Sequence, residues 1–222
     1  MLPKGLAAVR FRFMTTDASA GDNQEDQASS LPPADQRKSR LAMIGPTFTY
    51  DARDSQNQPR QGIFGSGAWL FGLPALGNSF RHSKLTLTLS AYTALGRDTV
   101  LATNARLCSA WGDVPYYDLC QFGSNAALRG YPTGRYRERA SWAAQAELRQ
   151  HLGGRWGATA FAGLGGIARS PGRFASSGNL LPAAGVGLRY QPFKENDVQI
   201  RVDAATGIKG AHGFYLGIGE AF

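Results

Sequence analysis

A chain of 222 residues has room for one domain of ordinary size or for one closed barrel. Glycine fills 28 positions, and charged residues make up only 18%, against about 25% in an average soluble domain. No apolar run of about eighteen residues occurs, which excludes a transmembrane helix; the basic residues behind the +8 net charge form no long run and alternate with apolar residues or sit at turns, which argues against a nucleic-acid partner.

Residues 5–14 alternate. Val9, Phe11 and Phe13 point one way, and Arg10 and Arg12 the other, which is the two-residue period of a strand. Residues 15–40 are polar, contain Pro32 and Pro33, and cannot bury a core. The chain therefore divides into a first strand plus a disordered polar loop, 1–40, and a main body, 41–222. In 41–53, Ile44, Phe48 and Tyr50 share one face, while Thr47, Thr49, Asp51 and Arg53 share the other. Strands are also expected over 62–73 and 83–95, where Leu85, Leu87 and Leu89 alternate with Lys84, Thr86, Thr88 and Ser90. A further strand over 99–111 carries Arg106 on its polar face.

Residues 112–139 then read as one long structureless loop, a rare feature in a compact domain and usually a functional one. Cys108 and Cys120 flank its start. In an oxidising compartment they would close a loop as a disulfide; otherwise they are two free thiols. Five strands follow, over 141–152, 156–168, 180–191, 198–205 and 212–222. The first places Gln145, Glu147, Arg149 and His151 on one face; the last places Phe214, Leu216, Ile218 and Phe222 together.

About ten amphipathic segments suit either a soluble sandwich or a membrane barrel. Two features favour the barrel. The polar faces are charged on nearly every strand, as a hydrated lumen requires. Trp69, Trp111, Trp142, Trp156, Tyr50 and Tyr190 lie near strand ends, where interfacial girdles form. A bilayer further demands closure, because an open edge leaves amides unsatisfied. The expected fold is an all-β, antiparallel transmembrane β-barrel with a long loop folding inward.

Four stretches in order carry a resemblance. They are Asp51-Ala52-Arg53-Asp54 with Pro59 and Gly62 downstream, Leu128-Arg129-Gly130-Tyr131, Glu147-Leu148-Arg149, and the ending FYLGIGEAF with Phe222. Together they resemble the carboxy-terminal barrel of the BamA/TamA outer-membrane assembly family, the bacterial surface antigen domain, over 41–222. The resemblance implies a bacterial outer-membrane location and a non-catalytic role in insertion, assembly or translocation of outer-membrane proteins. It implies outer-membrane lipid including lipopolysaccharide, and unfolded outer-membrane proteins, as partners; it leaves the oligomeric state open. It makes Arg129, Gly130, Tyr131, Glu147 and Arg149 a loop-anchoring motif. Asp51, Arg53 and Asp54 become a strand-end motif, and Phe214, Leu216, Ile218 and Phe222 an insertion signal.

An arginine fork binds carboxylates bidentately, so an inward-folded Arg129 needs an acid on the wall. Glu147 is the expected partner. The family pattern adds an acid in an F-x-D-x-G stretch, where this chain has Gly163. Family barrels have sixteen strands and POTRA domains ahead of them; the shorter strand count and the missing leader point to a piece of a longer chain. His82, His151 and His212 lie in no triad-like arrangement, so no catalytic residue, metal site or cofactor is expected; a rim hydrolase and a passive pore are the competing readings.

Overall fold

The computed structural model describes residues 4–17, 38–123, 127–174, 180–193 and 198–222, with the side chain of Leu76 left out. Most of the polar stretch 15–40 lies outside them.

Ten strands form one antiparallel sheet. They are β1 (Gly5–Asp17), β2 (Lys38–Asp51), β3 (Gly62–Gly72), β4 (His82–Ala94), β5 (Thr99–Gly112), β8 (Ala140–Gly153), β9 (Trp156–Ala168), β10 (Leu180–Tyr190), β11 (Ile200–Gly207) and β12 (His212–Ile218). Each pairs with the next in chain order, so the sheet is a meander with β1 and β12 as its edges. Among the described residues no pairing joins β1 to β12. The sheet curls until one loop touches both edges, as shown below. The first strand belongs to this same wall.

The long loop is not structureless. Inside it a short ribbon pairs β6 (Cys120–Phe122) with β7 (Tyr136–Glu138), and a 3-10 turn spans Tyr116–Asp118. The ribbon forms because the disulfide fixes Cys120 beside β5, and Phe122 and Tyr136 stack edge-on at 6.2 Å.

Burial is inverted relative to a soluble domain. Arg129, Glu147, Asp118 and Asp203 are fully buried, whereas Phe214, Leu216, Ile218, Val9 and Phe11 are largely exposed. Burying charge is tolerable only when it is paired, and an apolar outer face is stable only in lipid. This pairing of a charged interior with an apolar exterior is what a membrane barrel requires. The lumen is not polar throughout. Leu41, Met43 and Leu70 face inward and pack with Met14 and Tyr117, a patch the expectation of a hydrated interior did not include.

The aromatic residues divide between two rims. Tyr50, Trp156 and Tyr190 lie at the rim that holds the start of β1 and the end of β12, with Trp156 and Tyr190 paired across strands at 4.8 Å. Trp69, Trp111 and Trp142 lie at the other. The tight turns 95–98 and 154–155 sit at the first rim; β1 ends, β2 begins and the long loop after β5 enters at the second. Outer-membrane barrels put short turns in the periplasm and long loops outside, which orients the wall.

Candidate loop-anchoring site

Leu128-Arg129-Gly130-Tyr131 lies inside the wall, held by side chains and backbone of β8, β10, β11 and β12. The Arg129 guanidinium donates from Nη1 to Asp203 Oδ2 at 2.5 Å and from Nη2 to Glu147 Oε2. Its Cζ lies 3.5 Å from the Phe161 ring centroid. Its backbone N–H donates to Gln145 Oε1 at 3.3 Å. A fully buried arginine is therefore met by two acids and an aromatic face, the partners that lower the cost of desolvating it.

Around this pair the charges form a lattice. Arg149 Nε donates to Glu147 Oε1 at 2.7 Å, Arg189 Nη1 to Asp203 Oδ1 at 2.6 Å, and Arg201 Nη1 to Asp203 Oδ2 at 3.0 Å. Glu220, past the end of β12, accepts from Arg189 Nε at 2.9 Å. The loop arginine thus completes a network reaching from β8 to beyond β12.

Gly130 sits at φ +106°, and its N–H donates to the Tyr215 hydroxyl on β12 at 2.8 Å. A side chain there would be strained, and its Cβ would meet Thr206 O at 2.9 Å. The Tyr131 hydroxyl donates to Pro182 O at 2.5 Å and accepts from the N–H of Ile208 at 3.2 Å. Burial raises the Tyr131 phenol above its ordinary pKa. Leu128 packs in an apolar cluster with Phe122, Tyr131, Leu181 and Ala183.

Sequence reasoning assigned Glu147 to Arg129 and missed Asp203. The acid absent at position 163 is supplied instead from β11. A Cβ at Gly163 would lie 2.4 Å from Leu128 Cδ1, so the loop's own leucine occupies that space. The signal was present in the alternation of Gln199, Arg201 and Asp203, which placed an acid on the inner face of β11.

A second anchor holds the loop to the opposite edge. Asp118 accepts from Arg12 Nη1 of β1 at 2.7 Å and from Lys84 Nζ of β4 at 3.1 Å, and its Oδ2 is 2.9 Å from His82 Nε2. Burial alone would raise this carboxyl, but His82, Lys84 and Arg12 together hold it far below the usual carboxylate range. Tyr117 shares a 2.7 Å hydrogen bond with Ser39 of β2. Cys108 of β5 and Cys120 of the loop form a disulfide, Cα–Cα 5.7 Å.

The strand-end residues act within one turn. Arg53 Nη2 donates to Asp51 Oδ2 at 2.7 Å and lies 4.8 Å from the Phe64 ring. Asp54 Oδ1 accepts the N–H groups of Ser55, Arg60 and Gln61 at 3.0, 2.9 and 3.2 Å. The β2–β3 connection is thereby closed by local bonds.

Phe214, Leu216 and Ile218 form an outward row on β12, but Phe222 does not continue it. The strand ends at Ile218, and Gly219 at φ +78° turns the chain. Phe222 then lies inward, its carbonyl oxygen accepting from Arg149 Nη2 at 3.1 Å and its ring 5.5 Å from that guanidinium. His82 belongs to the Asp118 anchor, while His151 and His212 are exposed at opposite rims.

A family model described as the Omp85 superfamily domain matches residues 5–222. The chain belongs to the Omp85 superfamily. Its place is therefore the bacterial outer membrane, in a family of barrels that are not enzymes. The Omp85 match includes β1 as well as the rest of the wall. No curated protein matches the sequence. Among solved structures the Omp85 chain is similar to BamA from Haemophilus ducreyi lacking POTRA domains 1–3, with a TM-score of 0.63 and 17% identity. The match covers 81% of this chain and 41% of that one, and it shows the likeness of fold.

Proposed function

We propose that this Omp85 barrel is a non-catalytic component that inserts, assembles or translocates outer-membrane proteins, pairing a client strand at the seam between β1 and β12. The observation that carries this reading is the pair of sheet edges. Every other strand of the ten-stranded wall is hydrogen-bonded on both sides, whereas β1 and β12 each keep one row of backbone groups free among the described residues. Free edges recruit strands by backbone pairing. The loop reaches both edges, Arg12 through Asp118 and Tyr215 through Gly130, so it can hold them in register without pairing them. Arg129, Gly130, Tyr131, Glu147 and Arg149 are the loop anchor in this reading. Asp51, Arg53 and Asp54 shape the periplasmic turn, and Phe214, Leu216 and Ile218, with Phe222, serve the barrel's own insertion. Unfolded outer-membrane proteins and outer-membrane lipid including lipopolysaccharide are its partners.

A second reading, a passive pore, is favoured by the part of the lumen along β3 to β5 that the loop leaves unfilled. Depletion separates the two. Loss of other outer-membrane barrels on depletion supports assembly. Unchanged levels, together with steady conductance of the purified protein in a planar bilayer, support the pore.

A further inference from the structure

Arg106 is an inward-facing cation outside the loop network. It lies on β5, and its cross-strand neighbours on the inner face are small: Thr88 on β4, Ser66 beyond it on β3, Ala143 on β8 and Gly165 on β9. Small side chains in this lane leave a cavity of about 380 Å³ between the wall and the loop. Arg106, Lys84, Arg12, Thr86, Thr88 and Asp118 line it.

The charges in this cavity do not balance. Its carboxylate, Asp118, already accepts from Arg12 and Lys84 and is paired with His82. Among the described residues no acid lies within ion-pair distance of Arg106, and its buried Nε has no hydrogen-bond partner. A guanidinium partly removed from water without an anion is costly. The arginine fork fits the paired oxygens of an oxyanion, Lys84 adds a point charge, and the threonine hydroxyls can donate to remaining oxygens.

We infer that this lumenal cavity is an anion site, built around Arg106, that takes a phosphate-class oxyanion. The inference stands on the cavity and its charges and does not rest on the assembly reading. A phosphate group could reach it free in solution or on a lipid headgroup entering through the seam.

The test is binding of inorganic phosphate to the full chain, folded in a non-ionic detergent, read by calorimetry. Saturable binding is expected, weakened at least about tenfold by Arg106→Gln, partly kept by Arg106→Lys, and unchanged by Arg97→Gln in an exposed turn. Soluble short-chain phosphatidate competing at far lower concentration than phosphate identifies the headgroup as the source; equal potency identifies the free ion. No saturable binding, or binding that survives Arg106→Gln, overturns the inference. Should Arg106→Gln fail to fold, the unaltered protein decides. Phosphate must then protect Arg106 from phenylglyoxal, read by peptide mass, and an unchanged modification rate refutes the site. Failure of the depletion test above would leave these results unaffected.

Discussion

Arg129 and Asp203 stand 74 positions apart in the chain, yet their side chains meet at 2.5 Å with both fully buried. The contact joins a loop that leaves β5 to a strand near the other end of the sheet. It forms only if the wall has curled and the loop has entered it.

Removing one partner of a buried pair leaves an unpaired charge, at a cost of about 3–5 kcal/mol. Arg129→Ala and Asp203→Asn are each expected to lower barrel stability by that order, read as lost heat-modifiable migration and an earlier urea midpoint. Arg135→Ala and Arg137→Ala, at exposed loop positions, should change it by less than about 0.5 kcal/mol.

Gly163→Asp places a carboxylate where the family pattern has one, and it should harm this chain. Its Cβ would lie 2.4 Å from Leu128 Cδ1 and 2.6 Å from Ala144 O. Overpacking of this kind costs about 1–3 kcal/mol, and Leu128 would have to leave its cluster. The double variant Gly163→Asp with Leu128→Ala should recover part of the loss, measured as non-additivity in urea unfolding.

Asp118 makes the loop's hold on β1 and β4 sensitive to acid. Its folded pKa is lowered, because His82, Lys84 and Arg12 outweigh burial. The unfolded chain therefore binds the proton more tightly, and the stabilisation is complete above the ordinary value of 3.8 and is lost as pH falls below it. Protease cleavage within 113–139 should accelerate below about pH 4 in the parent and should be fast already at neutral pH in Asp118→Asn.

The strands were legible because a half-buried strand writes its two faces as alternation; 156–168 has the same ends in sequence and structure. Strand ends elsewhere moved by a few residues, since a polar residue at a rim serves equally as wall or turn. The ribbon of β6 and β7 left no such trace. Each strand is three residues long, and a disulfide and stacked rings hold it. Glu147 could be matched to Arg129 because it lies on the next long strand. Asp203 was visible as an inward acid, but its partner depends on how tightly the sheet curls, which no local pattern encodes. Phe222 was misplaced because periodicity was carried past Gly219, where the backbone turns.

In the proposed function β1 and β12 offer their free edges to a client strand. Single cysteines at outward positions of β1 (Val9, Phe11, Phe13) and of β12 (Phe214, Leu216, Ile218), paired with cysteines along the last strand of a stalled outer-membrane client, test it in cells. Disulfide cross-links to the client that follow a two-residue period along either edge are predicted. No cross-link to any client, with β1 and β12 cysteines instead joining each other under all conditions, would contradict the account.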